Sequence, residues 1–407
     1  MKLVVMKFGG SSVANAEKVK HVAGRVIEKK KGGYGVVVVV SAPGDMTDDL
    51  IEMAKGVTQD PPPREMDMLL ATGEQASIAL LGMALHAKGQ DAISLTGPQA
   101  GIFADHDHTR ARIVQIEPKK INFELKKGRV VVVAGFQGIN PNQDITTLGR
   151  GGSDLTAIAL AAALKADLCE IYTDVEGVYT TDPRVVPDAR KLDEISYDEM
   201  LELAGAGAQV MQGRSVEVAK KFNVVFEVRS TFSQRPGTRV HKEVSKMEEV
   251  IVSGIALDRK QAKVSLVEIP DKPGVAAKMF SALAKAAINV DMIIQSQALD
   301  QSNDISFTVG ESDLKKTLAA LEPVRESLGA KDLLHDASIA KVAIVGVGMR
   351  SHPGVAARMF QALADNKINI QMISTSEIKI ACVISRDQVD NAVKVLHKEF
   401  KLDKIKK

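Results

Sequence analysis

Tryptophan is absent, and aromatic residues make up only 4% of the 407 residues. Stacking on nucleobases needs aromatic faces, so a nucleic-acid platform is not expected. Cysteine is nearly absent. Cys169 and Cys382 each sit inside an apolar run, which excludes a disulfide framework and fits a reducing compartment. Neither sign of charge is in excess: 53 Lys and Arg face 51 Asp and Glu, for a net charge of +2. That balance gives no reason to expect nucleic acid or an acidic membrane as a partner. No apolar run approaches the roughly twenty residues of a membrane span. Lys2 is followed by only four apolar residues before Lys7, which is no secretory signal. The expectation is a cytoplasmic protein without a membrane partner.

Several motifs are also missing. There is no G-x-x-x-x-G-K-[ST] loop and no DFG or HRD stretch. Gly346-Val347-Gly348 begins like a dinucleotide fingerprint, but Ser351 stands where the next glycine is required. Asp105-His106-Asp107-His108 has no further His or Cys nearby, so a surface loop is expected there and no metal site. The acids of Glu194–Glu202 fit the solvated face and first turn of a helix.

What is present is alternation. Strands are expected at Leu3–Lys7, Val36–Ser41, Ala92–Thr96, Val130–Ala134 and Cys169–Thr173, with a late pair at Val224–Arg229 and Thr238–His241. Helical stretches separate them: Asn15–Lys31, Thr47–Gly56, Glu65–Lys88, Ile158–Lys165 and Asp198–Leu203. This predicts an α/β domain with a mostly parallel sheet flanked by helices. Ligands of such sheets gather at the carboxyl ends of strands. The chemically loaded residues lie there: Lys7–Ser12, Ser41–Thr47, Arg150–Asp154 and Thr173–Arg184.

Thr147–Leu155, TLGRGGSDL, is one of these. A glycine-rich turn feeding a helix N-terminus suits an anion. Ser153 or Asp154 is placed to cap that helix. Arg150 adds a fork that matches a carboxylate or phosphate. The first strand ends in Lys7-Phe8-Gly9-Gly10-Ser11-Ser12. KFGGSS and GRGGSD, in this order, resemble the aspartate-kinase branch of the amino-acid kinase family, and the resemblance extends over essentially the whole chain.

The resemblance implies transfer of the ATP γ-phosphate to the β-carboxylate of L-aspartate, the feedback-regulated first step toward lysine, threonine and methionine. ATP and Mg²⁺, the ion held mainly by the nucleotide, are the implied cofactors. A carboxylate with a pKa near ~4 is already ionised, so the chemistry needs charge neutralisation and alignment instead of a base. Lys7 would stabilise the transferring phosphoryl group, and Asp154 would orient it. Phe8, Gly9, Gly10 and Ser11 would approach the phosphates. Arg150, with Gly151, Gly152 and Ser153, would take the substrate α-carboxylate and Glu74 the α-ammonium, with Ser41 and Thr47 lining the pocket. TDVEGVYTTDPR resembles the family's nucleotide segment and implies Thr173, Asp174, Tyr179 and Arg184 around ATP. GAQVM adds Gln209 and Val210, although the family more often has lysine where Gln209 stands. A glutamate-type amino-acid kinase and a non-catalytic amino-acid sensor are the alternatives.

The last third repeats itself. Val264–Ile293 and Val342–Ile373 each read as strand, Pro-Gly loop, amphipathic helix, Ile-Asn turn and strand. The pattern resembles βαββαβ ACT (ferredoxin-like) domains, which implies lysine and/or threonine as allosteric effectors. In the first copy the implied contacts are Asp271, Gly274, Val275, Ala276, Asn289, Asp291 and Gln295. In the second they are His352, Gly354, Val355, Ala356, Asn369 and Thr375. The second copy has no fourth strand, whereas Val250–Leu257 is an orphan strand before the first. The expected domains are therefore a catalytic domain at 1–245, a first ACT domain at 263–338, and a second at 249–258 plus 341–407, the first nested in the second. Pairing through these domains as a homodimer or tetramer is implied. A start at Met247 would yield a small regulatory subunit.

Overall fold

The computed structural model describes residues 2–207, 210–242, 251–297, 302–350 and 352–404. Gln209 and Met247 lie outside the described residues. In chain order the first part runs β1 (Leu3–Phe8), α1 (Ala16–Lys31), β2 (Gly35–Val40), α2 (Met46–Val57), α3 (Pro63–Ala87), β3 (Ala92–Leu95), β4 (Ile102–Ala104), β5 (Ile113–Ile116), α4 (Lys119–Lys126), β6 (Val130–Ala134), β7 (Gln137–Ile139), β8 (Ile145–Thr147), α5 (Gly152–Leu164), β9 (Leu168–Thr173), β10 (Glu194–Ser196), α6 (Tyr197–Gly205), α7 (Gly213–Phe222), β11 (Phe226–Ser230) and β12 (Thr238–His241). It continues with β13 (Gly254–Asp258), β14 (Gln261–Pro270), α8 (Val275–Lys285), β15 (Val290–Gln297), β16 (Ser302–Gly310), α9 (Leu314–Leu328), β17 (Asp332–Asp336), β18 (Ile339–Val345), α10 (Val355–Asp365), β19 (Met372–Thr375), β20 (Lys379–Ser385) and α11 (Val389–Glu399).

The chain divides into two compact units. The first comprises Met1–Val178, Lys191–Leu201 and Gln209–Ser245; the second comprises Tyr179–Arg190, Glu202–Ala208 and Lys246–Lys407.

The first unit is built on an eight-stranded sheet of order β10-β12-β11-β9-β1-β2-β6-β3. Every pairing from β11 through β3 is parallel. Parallel strands are covered on both faces and so read as unbroken apolar runs; all six residues of β2, GVVVVV, are buried. One face packs Val4, Met6, Phe8, Val36, Val38 and Val40 against α1 and α3. α1 starts at Asn15, whose side chain accepts the Lys18 amide, and ends in Lys29, Lys30 and Lys31, which suit the negative end of the helix. α3 is 25 residues long and apolar enough to cross a membrane by length and composition, but half of its most apolar stretch is buried in the protein. A small sheet of order β5-β4-β7-β8 stands apart from the main one. Its strands of three or four residues are too short for a periodic pattern, and the sequence reading had no place for them.

The second unit contains two four-stranded sheets. One has the order β15-β16-β14-β17 and the other β13-β18-β20-β19, all antiparallel. The second sheet thus takes an edge strand, Gly254–Asp258, from ahead of the first. Each sheet carries two helices and its own core: Met279, Leu283, Phe307 and Leu321 in one, Met359, Leu363, Val393 and Leu396 in the other. The repeats face each other with matching cross-links. Lys341 pairs with Asp291, and Lys263, its counterpart, donates to Gln371, the counterpart of Asp291.

Two expectations for the acidic stretch and the helix cap are corrected. Glu199 is buried, not solvated; it accepts from the Ser196 amide and hydroxyl and so closes the start of α6. Neither Ser153 nor Asp154 caps α5. The N-cap is Gly151, in the left-handed region at φ 70°, and both residues lie inside the first turn. A side chain at Gly151 would also place its Cβ 1.8 Å from Gln212 Cγ, so the turn requires glycine here.

Candidate active site

β1 separates β2 from β9, so connections leave it on both sides, and the crevice beyond its carboxyl end is where open α/β sheets bind ligands. Lys7 lies near that end. Its Nζ stands 2.6 Å from Asp154 Oδ1, and each side chain is 11% exposed. A solvated strand-end lysine is thereby excluded. Asp154 sits in the first turn of α5, where the helix dipole favours a negative charge.

After Lys7 the backbone turns sharply. The Gly9 amide donates to the Tyr172 carbonyl and the Ser12 amide to the Gly9 carbonyl, so these two N–H groups are committed within the fold. The Gly44 amide donates to the Gly10 carbonyl, which brings the turn after β2 alongside. Phe8 is fully buried and stacks on Tyr172 at 4.5 Å between ring centroids. It supports the turn from beneath. Ser11 is exposed.

Glu74 lies midway along α3 and is 3% exposed. Its Oε1 accepts the Ala42 amide at 3.0 Å, while its Oε2 is buried without a hydrogen-bond partner among the described residues. Gly73 permits this approach: a Cβ there would fall 2.7 Å from Ala42 Cβ. Burial pushes the Glu74 carboxyl up to about 7, the Ala42 amide opposing that rise. A buried carboxylate oxygen with no partner is costly unless something cationic completes it. Ser41 and Thr47 are half-buried on either side of the turn that Ala42 begins.

Arg150 is exposed and forms no ion pair among the described residues. Gly152, Ser153 and Asp154 are buried behind it. Beside them Phe136 holds a left-handed backbone at φ 67°, and its carbonyl accepts the Leu148 amide. A non-glycine residue there marks stored strain.

Of the residues expected around a nucleotide, Thr173 ends β9 and donates to Asp174 Oδ1 at 2.9 Å. Val210 belongs to the first unit. Tyr179 and Arg184 belong to the second. There Asp182 grips the Arg184 guanidinium with both oxygens, at 2.7–3.1 Å, which holds its own carboxyl below the usual range. Gln209 is not among the described residues.

Asp67, which no sequence pattern singles out, belongs to this neighbourhood together with His108 and Thr147. Asp67 is fully buried on α3 and accepts from all of Thr147 Oγ1, the Thr109 amide and His108 Nδ1. His108 is therefore tied down and is no free surface residue. The only available signal was a carboxylate at the i−7 position from Glu74 on an otherwise apolar helix face.

In the two repeats, Gly274 and Gly354 both hold left-handed backbones, φ 95° and 93°, and precede the first turns of α8 and α10. Val275 and Ala276 are half-buried, as is Ala356, and Val355 is buried. Asn289, Gln295, Asn369 and Thr375 are exposed. Asp271 accepts from Asn303 at 2.8 Å, and His352 is bonded to the Gly348 carbonyl. Asp291 is already engaged by Lys341, which also donates to the Gly205 carbonyl.

A model of the amino acid kinase family matches residues 2–229, and one of the ACT domain matches residues 264–323 and 342–400. An aspartate kinase of Pseudomonas putida is 52% identical over 404 residues, covering 99% of this chain and 98% of the relative. The structure of E. coli aspartokinase III in complex with aspartate and ADP, described as the R state, superposes with a TM-score of 0.85 at 25% identity, covering 98% and 99% of the two chains. The same enzyme with lysine and aspartate, described as the T state, gives a TM-score of 0.77 at 25% identity, with 98% and 100% covered.

Proposed function

The chain belongs to the aspartate kinases of the amino acid kinase family, and from that premise we propose that Lys7, Asp154, Glu74 and Arg150 carry the transfer of the ATP γ-phosphate to the β-carboxylate of L-aspartate. The observation that carries the assignment is the unpartnered Oε2 of Glu74, which an α-ammonium completes. Arg150 takes the α-carboxylate with two parallel N–H groups. Ser41, Thr47, Gly151, Gly152 and Ser153 line the remainder of the amino-acid pocket. With both α-groups held, the β-carboxylate oxygen attacks the γ-phosphorus, and ADP leaves with the bond it breaks. No proton moves, so the protein's task is alignment and charge compensation. Lys7 supplies the positive charge at the transferring group, and Asp154 fixes the lysine's position.

Phe8, Gly9, Gly10, Ser11, Thr173, Asp174, Tyr179, Arg184, Gln209 and Val210 are proposed for the nucleotide. Asp154 is the carboxylate here that would face Mg²⁺ carried by the triphosphate, an ion that would offset phosphate charge. Residues 1–245 form the catalytic domain, 263–338 the first ACT domain, and 249–258 with 341–407 the second. Lysine and/or threonine act through those repeats, which also join copies of the chain into dimers or tetramers. The two buried free thiols, Cys169 and Cys382, support a cytoplasmic setting.

The test is hydroxamate trapping of the acyl phosphate across a panel of amino acids, with and without lysine and threonine. Aspartate alone should give product at a substantial rate. Preference for glutamate, or for an N-acylated amino acid, would overturn the assignment of Glu74.

A further inference from the structure

We propose that Asp67 is a positioning residue that sets the distance between the two holders of the substrate's α-groups, and hence the discrimination between aspartate and its longer homologue. This rests on the reading of Glu74 and Arg150 given above.

Asp67, Ala71 and Glu74 lie at i, i+4 and i+7 on α3, so they share one face of the helix. Each is hydrogen-bonded to another segment, Asp67 and Ala71 to the same hairpin and Glu74 to the turn after β2. Asp67 Oδ1 accepts from Thr147 Oγ1 at 2.5 Å. The Ala71 carbonyl accepts from Gln137 Nε2 at 3.0 Å. Glu74 accepts from the Ala42 amide. Gln137 and Thr147 are direct partners in the antiparallel β7–β8 pair, and both are fully buried. The hairpin is therefore pinned to the helix at two points one helical turn apart. Two points fix its translation and leave only rotation about the line through them. The chain leaves Thr147 through Leu148 and Gly149 to Arg150. Anchoring Thr147 on the helix that carries Glu74 thus references Arg150 to Glu74.

The chemistry of Asp67 fits this role. It is fully buried and has no lysine or arginine partner among the described residues. Its acceptors are filled by Thr147, by the Thr109 amide at 3.0 and 3.1 Å, and by His108 Nδ1 at 2.6 Å. An apolar residue would stabilise the core at lower cost. What the carboxylate adds is direction, because it holds three segments in one geometry. Aspartate and glutamate carry the same α-groups and differ by one methylene. A methylene in a rigid pocket separates substrates by roughly 10–200-fold. That ratio requires the α-groups to be held at a fixed distance from the phosphoryl-transfer centre.

The experiment uses the full chain with Thr147→Val, Thr147→Ser and Asp67→Asn, and with Glu74→Gln as control. Thr147→Val keeps the shape of the side chain and removes the donor. It should raise the KM for aspartate about tenfold, leave the KM for ATP near wild type, and lower the aspartate-to-glutamate ratio of kcat/KM. Thr147→Ser should restore both the aspartate KM and the ratio. Asp67→Asn should shift the same ratio in the same direction. Wild-type aspartate KM and ratio in Thr147→Val, beside a raised KM in Glu74→Gln, would overturn the proposal and leave the site reading standing. An equal rise in the ATP and aspartate KM values would reduce Asp67 to a structural role. An unchanged aspartate KM in Glu74→Gln would overturn the site reading itself and this proposal with it.

Discussion

Lys7 Nζ and Asp154 Oδ1 lie 2.6 Å apart with both side chains about nine-tenths buried. They come from different elements, the central strand and the helix after the GRGG turn. A buried pair of this kind is no gain in stability over a well-packed apolar pair. Its justification is a charge held ready where the transferring phosphoryl group collects negative charge.

Replacing Lys7 with Ala should therefore lower kcat by about 10²–10³-fold, the range for loss of one preorganised donor. Asp154→Ala should lower it similarly, because it leaves the ammonium free to swing. Far-ultraviolet circular dichroism should stay that of the wild type. A folded Lys7→Ala protein with near-wild-type turnover would exclude the lysine from the mechanism.

Glu74 predicts a pH dependence. Only its ionised form pairs with an ammonium, and burial places its midpoint at about 7 against an ordinary 4.5. The kcat/KM for aspartate should fall as pH drops below about 7, and Glu74→Gln should lose that limb while its aspartate KM rises at every pH. Stability runs the other way. Between about pH 4.5 and 7 the folded chain keeps a proton that the unfolded chain releases, so this group's contribution to stability is lost as pH rises through that window. At pH 8 Glu74→Gln should melt above the wild type, by an amount on the order of a few kcal/mol. At pH 4 the two should coincide. A wild type that melts higher at pH 8 would contradict the assigned burial cost.

The main sheet was legible because parallel strands announce themselves as β-branched runs: Val36–Val40 and Val130–Ala134 could hardly be anything else. Lys7, Glu74 and Arg150 were legible as residue types at strand ends or beside glycine. Their partners were not. Asp67 looks like any polar residue on a helix, and its partner Thr147 lies 80 residues away. The same holds for Lys341 and Asp291, which no local pattern connects. The start of α5 was misread for a different reason. Serine and aspartate favour the cap position, but the left-handed Gly151 takes it and draws both side chains into the first turn. Long-range pairing and backbone handedness are properties of the folded chain, and propensity carries neither.

The Lys341–Asp291 pair gives a prediction of opposite signs. We expect an effector's ammonium to reach Asp291 in the first repeat, in competition with Lys341. Asp291→Ala should relieve inhibition by lysine or threonine and leave the uninhibited kcat intact. Lys341→Met should sharpen inhibition, because it frees the carboxylate and its buried position tolerates an apolar side chain. Inhibition curves of the two variants that shift together would show that the pair only joins the repeats.

The last prediction concerns β13. Gly254–Asp258 pairs along its whole length with Ile339–Val345, all seven residues of which are buried. Ile255 and Val252 belong to the same core as Val342, Ile344 and Leu396. Without β13, β18 would become an edge strand with a row of open N–H and C=O groups and exposed Val342 and Ile344, which invites aggregation. A fragment Met247–Lys407 retains the strand; Gln261–Lys407 lacks it. Both fragments lack residues 179–190, whose Val186 packs into that core, so this loss weighs on the two equally and does not disturb the comparison. The longer fragment should unfold in one cooperative transition and run as a dimer on a sizing column. The shorter should melt without a sharp transition, or aggregate. If Met247 serves as an internal start, the longer fragment is also the regulatory subunit that the gene would produce. Equal cooperativity and equal midpoints for the two fragments would show that the second repeat closes its sheet without help from the strand that precedes the first.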